Sequence, residues 1–276
     1  SKAFKGSAPA QINIPRDMWT QVIDIELPPI IKFERPSGGS EAIKEAAKLL
    51  SNADFPVILS GAGVVLADAI NDCKALAEKL DSPVASGYQH NDSFPGSHPL
   101  AVGPLGYNGS KAAMELISKA DVVLALGTRL NPFSTLPGYG IDYWPKDAAI
   151  IQVDINSDRI GLTKKVSVGI CGDAKQVAQQ LLNSLSPEAG NKNRDERKAL
   201  IHQTKSAWLQ TLSSMDHEDD DPGTSWNEEA RVRDADRMSP RMAWRAIQNG
   251  LPKNAIISSD IGNNCAIGNA YPTFEE

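Results

Sequence analysis

Short apolar runs alternate with amphipathic helical stretches between residues 38 and 186. Pro56–Ser60, Val122–Leu126 and Ala149–Asp154 are such runs, and their only charged residue is the terminal Asp154. Strands that are covered on both faces are continuously apolar, and parallel neighbours need a helix between them. The pattern predicts one doubly wound, Rossmann-like α/β domain with a parallel sheet over residues 38–186.

The segments around this domain have a different composition. Residues 20–37 contain three prolines and are typical of a linker. Residues 187–235 are polar, include a helical stretch, and carry five acidic residues in the six positions 216–221. Within residues 236–276 a helix is followed by the apolar run Ala255–Asp260, which predicts a new strand. We therefore expect one complete domain between partial segments of two further α/β domains.

The charge and the composition exclude several classes of partner. The chain has 28 Lys and Arg residues against 34 Asp and Glu, a net charge of -6 and a pI near 5.3. No basic surface for nucleic acid or anionic lipid is expected, and no apolar run reaches the roughly 18–20 residues that span a bilayer. No secretory leader is recognisable, and Cys73, Cys171 and Cys265 lack disulfide or metal spacing. These features predict a cytoplasmic protein with reduced, buried thiols.

Two glycine motifs are candidates for anion binding. Gly61, Ala62 and Gly63 follow one strand and precede a helix, where small residues and free N–H groups suit a phosphate. A tight turn explains the same residues equally well, because the third glycine of the dinucleotide fingerprint is absent. Gly106 and Gly109 lie in a second glycine-rich loop, whose N–H groups would also face a ligand.

The ends of the later strands extend this candidate groove. Ligands of open α/β sheets bind outside the carboxyl ends of the strands. Arg129 would pair there with a phosphate or lie in a surface ion pair, and Asp173 would equally serve as a helix N-cap. The full candidate nucleotide groove comprises Gly61, Ala62, Gly63, Gly106, Gly109, Arg129, Asp154, Ile155, Gly172, Asp173 and Ala174.

A polar loop after the strand near Val84 supplies the candidate catalytic residues. Gln89, His90 and Asn91 combine two amides with an imidazole whose unperturbed pKa lies near neutrality. Such a group suits acid–base chemistry or the binding of an anion. A purely structural histidine is the alternative interpretation of His90, since no triad spacing accompanies it.

The order of the motifs is more specific than any one of them. The set is Gln11–Pro15, Gly61–Gly63, Phe94–Pro99, Gly103–Gly109, Ala120–Val122, Gly127–Arg129, Asp154–Asn156, Gly172–Ala174 and Asp260–Asn264. In this order the motifs resemble the thiamine-diphosphate-dependent decarboxylase and carboligase family of the acetohydroxyacid synthase type. The resemblance covers essentially the whole chain.

This resemblance implies a subunit of three domains with thiamine diphosphate and Mg²⁺ as cofactors. Residues 1–19 would be the tail of the pyrimidine-binding domain, and residues 236–276 the start of the diphosphate-binding domain. The diphosphate contacts would fall on Ile261, Gly262, Asn263 and Asn264. The sequence contains no Gly-Asp-Gly, so the resemblance places the catalytic glutamate and the metal ligands outside this chain.

Two loops narrow the resemblance to one acetyltransferase branch of the family. Gln89–Pro95 and Pro137–Pro145 resemble that branch, which implies acetyl transfer from sulfoacetaldehyde to phosphate with release of sulfite. Gln89, His90 and Asn91 would then bind the sulfonate or the phosphate. The alternatives are another carboligase or decarboxylase, such as acetohydroxyacid synthase, and a non-catalytic module that binds an adenine nucleotide.

The resemblance also bears on nucleotides and assembly. Close relatives carry Asp-Asp-Arg after the position of Arg129, whereas Asn131–Phe133 stands here. This departure argues against bound FAD and leaves ADP as a candidate nucleotide. Active sites of the family lie between subunits, so a homodimer or homotetramer is implied, and this chain by itself is expected to be inactive.

Overall fold

The computed structural model describes residues 11–29, 34–214, 240–252, 254–260 and 262–275. Predictions on the acidic run 216–221 and on Ile261 lie outside these residues. The chain divides into two compact units, Ser1–Arg35 and Pro36–Glu276. Among its described residues the first unit has one 3-10 turn, Arg16–Thr20, with exposed Met18 and Trp19.

A six-stranded sheet forms the centre of the second unit. The strands are β1 Pro56–Ser60, β2 Val84–Ser86, β3 Ala101–Pro104, β4 Val122–Leu126, β5 Ala149–Asp154 and β6 Val168–Cys171. All neighbours are parallel, and the order is β3-β2-β1-β4-β5-β6. The predicted doubly wound α/β fold is confirmed. β3 was not predicted, because Gly103 and Pro104 break its apolar pattern.

Helices precede the first strand, lie between β1 and β2 and between β3 and β4, and follow the last strand. They are α1 Ser40–Asn52, α2 Ala62–Leu66, α3 Ile70–Leu80, α4 Lys111–Ile117, α5 Ala174–Ser184, α6 Arg194–Ser214, α7 Pro240–Gly250 and α8 Asn263–Ala270. α1 buries Ile43, Ala46, Ala47 and Leu50, which is one face at helical spacing. Every residue of β1 and β4 is buried, as expected for central strands that are covered on both sides.

Part of the predicted linker 187–235 packs on the sheet domain. Arg197 of α6 is only 1% exposed, and its guanidinium donates five hydrogen bonds to backbone carbonyls. The acceptors are the carbonyl oxygens of Asp54, Leu80, Asp81, Lys192 and Gly190, at 2.5 to 3.0 Å. Burial lowers the pKa of Arg197. The five bonds compensate the desolvation of the cation and fix α6 to the domain.

Two local predictions are wrong. Ala255–Asp260 carries no regular secondary structure, because it has no neighbouring strand among the described residues to pair its backbone groups. Cys171 is exposed, since β6 is an edge strand whose alternate residues face solvent, whereas Cys73 and Cys265 are buried as predicted. No helix in the described ranges is long and apolar enough to cross a membrane.

Candidate functional site

The carboxyl ends of four strands form a continuous row. The strand order reverses between β1 and β4, which is where open α/β sheets bind ligands. Backbone bonds link consecutive strand ends: Gly61 N–H to Leu126 O, Gly127 N–H to Val153 O and Gly172 N–H to Asp154 O, at 3.0 to 3.1 Å. We call residues 61–63, 127–129, 154–155 and 172–174 the strand-end row.

The glycines of the strand-end row serve close backbone packing. A Cβ on Gly63 would lie 2.6 Å from the Cα of Gly127, and a Cβ on Gly61 would lie 2.7 Å from Gly127 O. The N–H of Gly63 donates to Gly127 O at 2.8 Å. These contacts occupy the N–H groups of Gly61 and Gly63, so the two amides are not donors for a phosphate, and the tight-turn interpretation explains both glycines. Ala62 begins the short helix α2.

The two aspartates of the row stabilise their own turns. Asp154 accepts the N–H of Asn156 at 2.8 Å. Asp173 is the N-cap of α5 and accepts the N–H groups of Lys175 and Gln176 at 3.1 and 3.3 Å. An N-cap carboxylate satisfies N–H groups that the helix itself leaves unpaired. Neither side chain therefore needs a ligand to explain its position.

The remaining residues of the row offer less chemistry than expected. Ala174 and Gly172 are buried, Ile155 is exposed, and Arg129 is exposed between the buried Thr128 and Leu130. In the described ranges of the chain Arg129 makes no ion pair, so its guanidinium could reach a dissolved anion. The binding of an adenine nucleotide to this row stays a prediction.

Gly106 and Gly109 belong to the loop between β3 and α4, which is tied to a different neighbour. Gly106 has φ +83°, and a Cβ there would overlap the carbonyl oxygen of Phe133. The N–H of Gly109 donates to Gly106 O at 2.9 Å. Both glycines thus shape a turn that packs on the segment after β4, and their contacts do not join them to the strand-end row.

The loop after β2 contacts helix α8. The Nε2 of Gln89 donates to the Sγ of Cys265 at 2.7 Å, and the Nδ2 of Asn91 donates to Asn269 O at 2.6 Å and to Pro272 O at 3.0 Å. We call residues 88–91 together with 265–272 the loop–helix junction. Its partners are about 180 residues apart in the sequence, so no local pattern specifies them.

Asn269 lies at the centre of the loop–helix junction and was missed by the sequence analysis. It is 3% exposed, its Oδ1 accepts the backbone N–H of Gln89, and its Nδ2 donates to Tyr107 O at 3.5 Å. Buried amides are normally hydrogen-bonded, and this one meets two separate loops. The sequence feature that could have indicated Asn269 is that it is the one polar amide in the run 265–270, whose other residues are small or apolar.

A cavity of about 360 Å³ borders the loop–helix junction. Its described lining includes Gln89, Asn91, Asp92, Cys265 and Asn269, so amide, thiol and carboxylate groups face one space. A cavity with a few convergent polar groups is a common form of small-molecule site. The structure therefore places the predicted loop beside a cavity that a small ligand could occupy.

The three candidate catalytic residues have different roles in this geometry. Both hydrogens of the Asn91 amide are used, one on Asn269 O in α8 and one on Pro272 O, two residues beyond the end of α8, so Asn91 holds the loop rather than a substrate. Gln89 uses one amide hydrogen on Cys265 and keeps the other. His90 is about one-third exposed, and its Nδ1 lies 3.8 Å from the Oδ1 of Asp92. Of the three, His90 carries the side chain suited to acid–base chemistry, and it is not among the described residues that line the cavity.

Tyr88 adds a hydroxyl to the loop–helix junction. Its backbone N–H donates to the Oγ of Ser134 at 3.0 Å, and its hydroxyl lies 3.7 Å from the Sγ of Cys265. Burial, followed by the interaction with Cys265, raises the pKa of Tyr88 to about 12. The phenol therefore stays protonated near neutral pH and remains a hydrogen-bond donor.

The predicted diphosphate motif lies at the start of α8. Gly262 is the N-cap residue with φ +124°, a conformation that favours glycine, and a Cβ there would meet no atom within 4 Å. Asn263 and Asn264 begin the helix, whose N-terminal N–H groups and dipole suit a diphosphate. The backbone thus fits the group, while the described residues contain no cluster of three or more metal-ligating His, Cys, Asp or Glu side chains.

Comparison with known proteins identifies the family. Residues 43–181, half of the chain, match the family described as "Thiamine pyrophosphate enzyme, central domain". This chain belongs to that family. The predicted resemblance is therefore confirmed, and the doubly wound sheet is the central domain of a thiamine pyrophosphate enzyme.

Individual relatives are similar over the whole chain. The "Probable sulfoacetaldehyde acetyltransferase" of Rhizobium meliloti is 78% identical over 275 residues, which are 100% of this chain and 46% of that protein. The sulfoacetaldehyde acetyltransferase of Roseovarius nubinhibens is 76% identical over 274 residues, 99% of this chain and 45% of that protein. The acetolactate synthase large subunit of Corynebacterium glutamicum is 34% identical over 180 residues, 64% of this chain and 28% of that protein. This chain thus spans about half the length of these two acetyltransferases.

Proposed function

We propose that the full-length protein converts sulfoacetaldehyde and phosphate to acetyl phosphate and sulfite. Carbon–sulfur cleavage would release sulfite, and the two-carbon unit would leave as acetyl phosphate. The observation that carries the proposal is the sequence identity of 78% and 76% with two relatives, named "Probable sulfoacetaldehyde acetyltransferase" and "Sulfoacetaldehyde acetyltransferase". The identity extends over nearly every residue of this chain. The acetolactate synthase relative is far less similar at 34%.

The cofactor of this reaction would be thiamine diphosphate with Mg²⁺. When bound, it supplies a nucleophilic carbon for the aldehyde and an electron sink for the departure of sulfite. The motif 261–264 would hold its diphosphate, and the exposed N-cap at Gly262 supports this assignment. Residues 1–19 would end a pyrimidine-binding domain and residues 236–276 would begin a diphosphate-binding domain, with the metal ligands outside this chain.

The loop after β2 would bind the anionic groups of the substrates. Sulfonate and phosphate oxygens accept hydrogen bonds, and charged or amide donors bind them well. His90 would donate a hydrogen bond to such an oxygen and move a proton. The second amide hydrogen of Gln89 would orient the same sulfonate or phosphate group. The buried Oδ1 of Asp92, which has no hydrogen-bond partner among the described residues, lies 3.8 Å from the Nδ1 of His90 and would attract that ring when it carries a proton.

The proposal is tested with the purified full-length protein, thiamine diphosphate, Mg²⁺, phosphate and sulfoacetaldehyde. We expect acetyl phosphate and sulfite in equal amounts, with no product when phosphate is left out. Pyruvate is the control substrate, because a carboligase of the acetolactate synthase type would use it. Turnover of pyruvate without any turnover of sulfoacetaldehyde would overturn the proposal.

Assembly, compartment and nucleotide content belong to the same proposal. We predict a homodimer or homotetramer in the cytoplasm. It would contain no FAD, and ADP would be a candidate ligand of the strand-end row. The departure Asn131–Phe133 supports the omission of FAD, because Asn131 Oδ1 accepts the N–H of Phe133 at 2.8 Å in a local turn.

A further inference from the structure

Gln89 has a backbone conformation that needs support from outside its own loop. Its φ is +67°, in the left-handed region that residues with a side chain rarely adopt. Such a conformation persists only where surrounding contacts determine it, and it is typical of functional loops. The backbone N–H of Gln89 has its partner on α8, where the Oδ1 of Asn269 accepts it.

Asn269 connects three segments that are distant in the sequence. Its side chain meets the N–H of Gln89 and the carbonyl oxygen of Tyr107, and its own backbone carbonyl accepts Nδ2 of Asn91 at 2.6 Å. The Oδ1 of Asn91 in turn accepts the hydroxyl of Ser86, at the end of β2, at 3.0 Å. A chain of hydrogen bonds therefore runs from the sheet through the loop to α8.

The helix that holds this chain of bonds also begins at the predicted diphosphate motif. Gly262 is the N-cap of α8, and Asn269 lies in its last turn. Anything that binds at the N-terminus of α8 and fixes the helix therefore also fixes the acceptor for Gln89. Two sites that bias one rigid element are coupled in both directions.

We propose that Asn269 is a positioning residue, which holds Gln89 in its left-handed conformation and thereby links the loop with His90 to the helix of the diphosphate motif. The role of the loop in substrate binding rests on the function proposed above. The link itself rests only on the contacts of Asn269 with its neighbours.

Hydrogen exchange of the Gln89 amide tests the link directly in the full-length protein. In the unsubstituted protein we expect slow exchange, and slower exchange after thiamine diphosphate and Mg²⁺ are added. Asn269→Leu removes the acceptor and should speed exchange at Gln89 at least tenfold, with no response to the cofactor. Asn269→Asp keeps an acceptor oxygen and should restore exchange to within about threefold of the unsubstituted rate.

Matched variants separate this link from general loss of stability. Asn52→Leu makes the same change at an exposed asparagine whose amide donates to Lys48 O within α1, and should leave the exchange of the Gln89 amide unchanged. Asn91→Asp removes the amide hydrogens that bond to Asn269 O and Pro272 O, and it changes no residue of α8. It should speed exchange of the Gln89 amide at least threefold. It serves as the test if Asn269→Leu does not fold.

Unchanged exchange at Gln89 in folded Asn269→Leu, or in Asn91→Asp when that variant stands in for it, would overturn the inference. Equal acceleration by Asn269→Asp and Asn269→Leu would also overturn it. Exchange needs no turnover, so an inactive protein with the expected exchange pattern would contradict only the proposed function. Acetyl phosphate formation with fast exchange at Gln89 would contradict only the link.

Discussion

The strand-end row and the loop–helix junction lie at the same edge of one sheet but are built in different ways. In the row, glycine backbones pack against each other, and Asp154 and Asp173 bond to N–H groups two or three residues away. In the junction, amide side chains join segments that lie about 180 residues apart. In the row, the polar side chains thus bond within their own turns and the strand ends are joined by backbone contacts, whereas in the junction polar side chains themselves join distant parts of the chain.

This difference separates two kinds of polar residue. A polar group that is satisfied by its own turn needs no ligand to explain it, and its removal should cost stability rather than activity. A polar group that fixes a loop beside a cavity can instead affect binding. The proposed function therefore leaves the row mainly to the fold and the junction mainly to the chemistry, and on that proposal the two regions should respond differently to substitution.

Gly63→Ala should give the largest loss of stability. The new Cβ would lie 2.6 Å from the backbone of Gly127, and neither β1 nor β4 can move away inside the sheet. We expect the free energy of unfolding to fall by about 3 kcal/mol or more, in the range of overpacked cores. Urea unfolding, followed by circular dichroism, measures the change.

Gly250→Ala is the matched control for that substitution. Gly250 ends α7, and a Cβ there would meet nothing within 4 Å. Its effect should stay within about 0.5 kcal/mol. Equal stability of Gly63→Ala and Gly250→Ala would show that the row tolerates a side chain and has room for another role.

Asp173→Ala should give a smaller loss. The substitution removes the N-cap of α5 and leaves the N–H groups of Lys175 and Gln176 without their acceptor. A loss of about 1 kcal/mol in the free energy of unfolding is typical of an N-cap. Asp173→Asn keeps a capping oxygen and should lose less than half as much. A loss of acetyltransfer activity without a loss of stability would contradict the structural role.

The smallest effect is expected at Tyr88 and appears only in alkaline solution. The pKa of its phenol is about 12 in the folded protein, raised first by burial, against 10.0 without that environment. The folded state then keeps a proton that the unfolded state releases between pH 10 and pH 12, so the stability falls with rising pH in this window. Tyr88→Phe should lose part of this slope in the urea midpoints. An identical slope in both proteins would show that the phenol is not perturbed.

The sequence was sufficient for the central sheet because its strands are buried on both faces. β1, β4 and β5 appear as apolar runs, and their ends carry the small and polar residues that turns require. The apolar pattern does not predict β3, because Gly103 and Pro104 interrupt it. The prediction of a strand at Ala255–Asp260 is wrong, because an apolar run does not show whether another strand is available to pair with it.

The candidate site was only partly predictable, because a sequence pattern does not show which distant segments meet in the fold. The sequence predicts Gln89, His90 and Asn91 as a polar loop after a strand, and in the structure Gln89 and Asn91 of this loop line a cavity. Asn269 was missed because its acceptor and donor roles arise only when α8 meets that loop. For the glycines of the row the sequence allows two interpretations, a tight turn and a phosphate site. Only the backbone contacts in the folded structure distinguish them.

The most direct test of this account compares one residue from each region in the full-length protein. His90→Gln and Arg129→Gln both replace a side chain that can be cationic with a neutral amide, one in the junction loop and one in the strand-end row. For kcat/KM with sulfoacetaldehyde we predict a fall of roughly 100-fold for His90→Gln, as for a lost acid–base group, and a change within about threefold for Arg129→Gln. A large loss for Arg129→Gln with an unchanged His90→Gln would place the chemistry in the row and contradict the account.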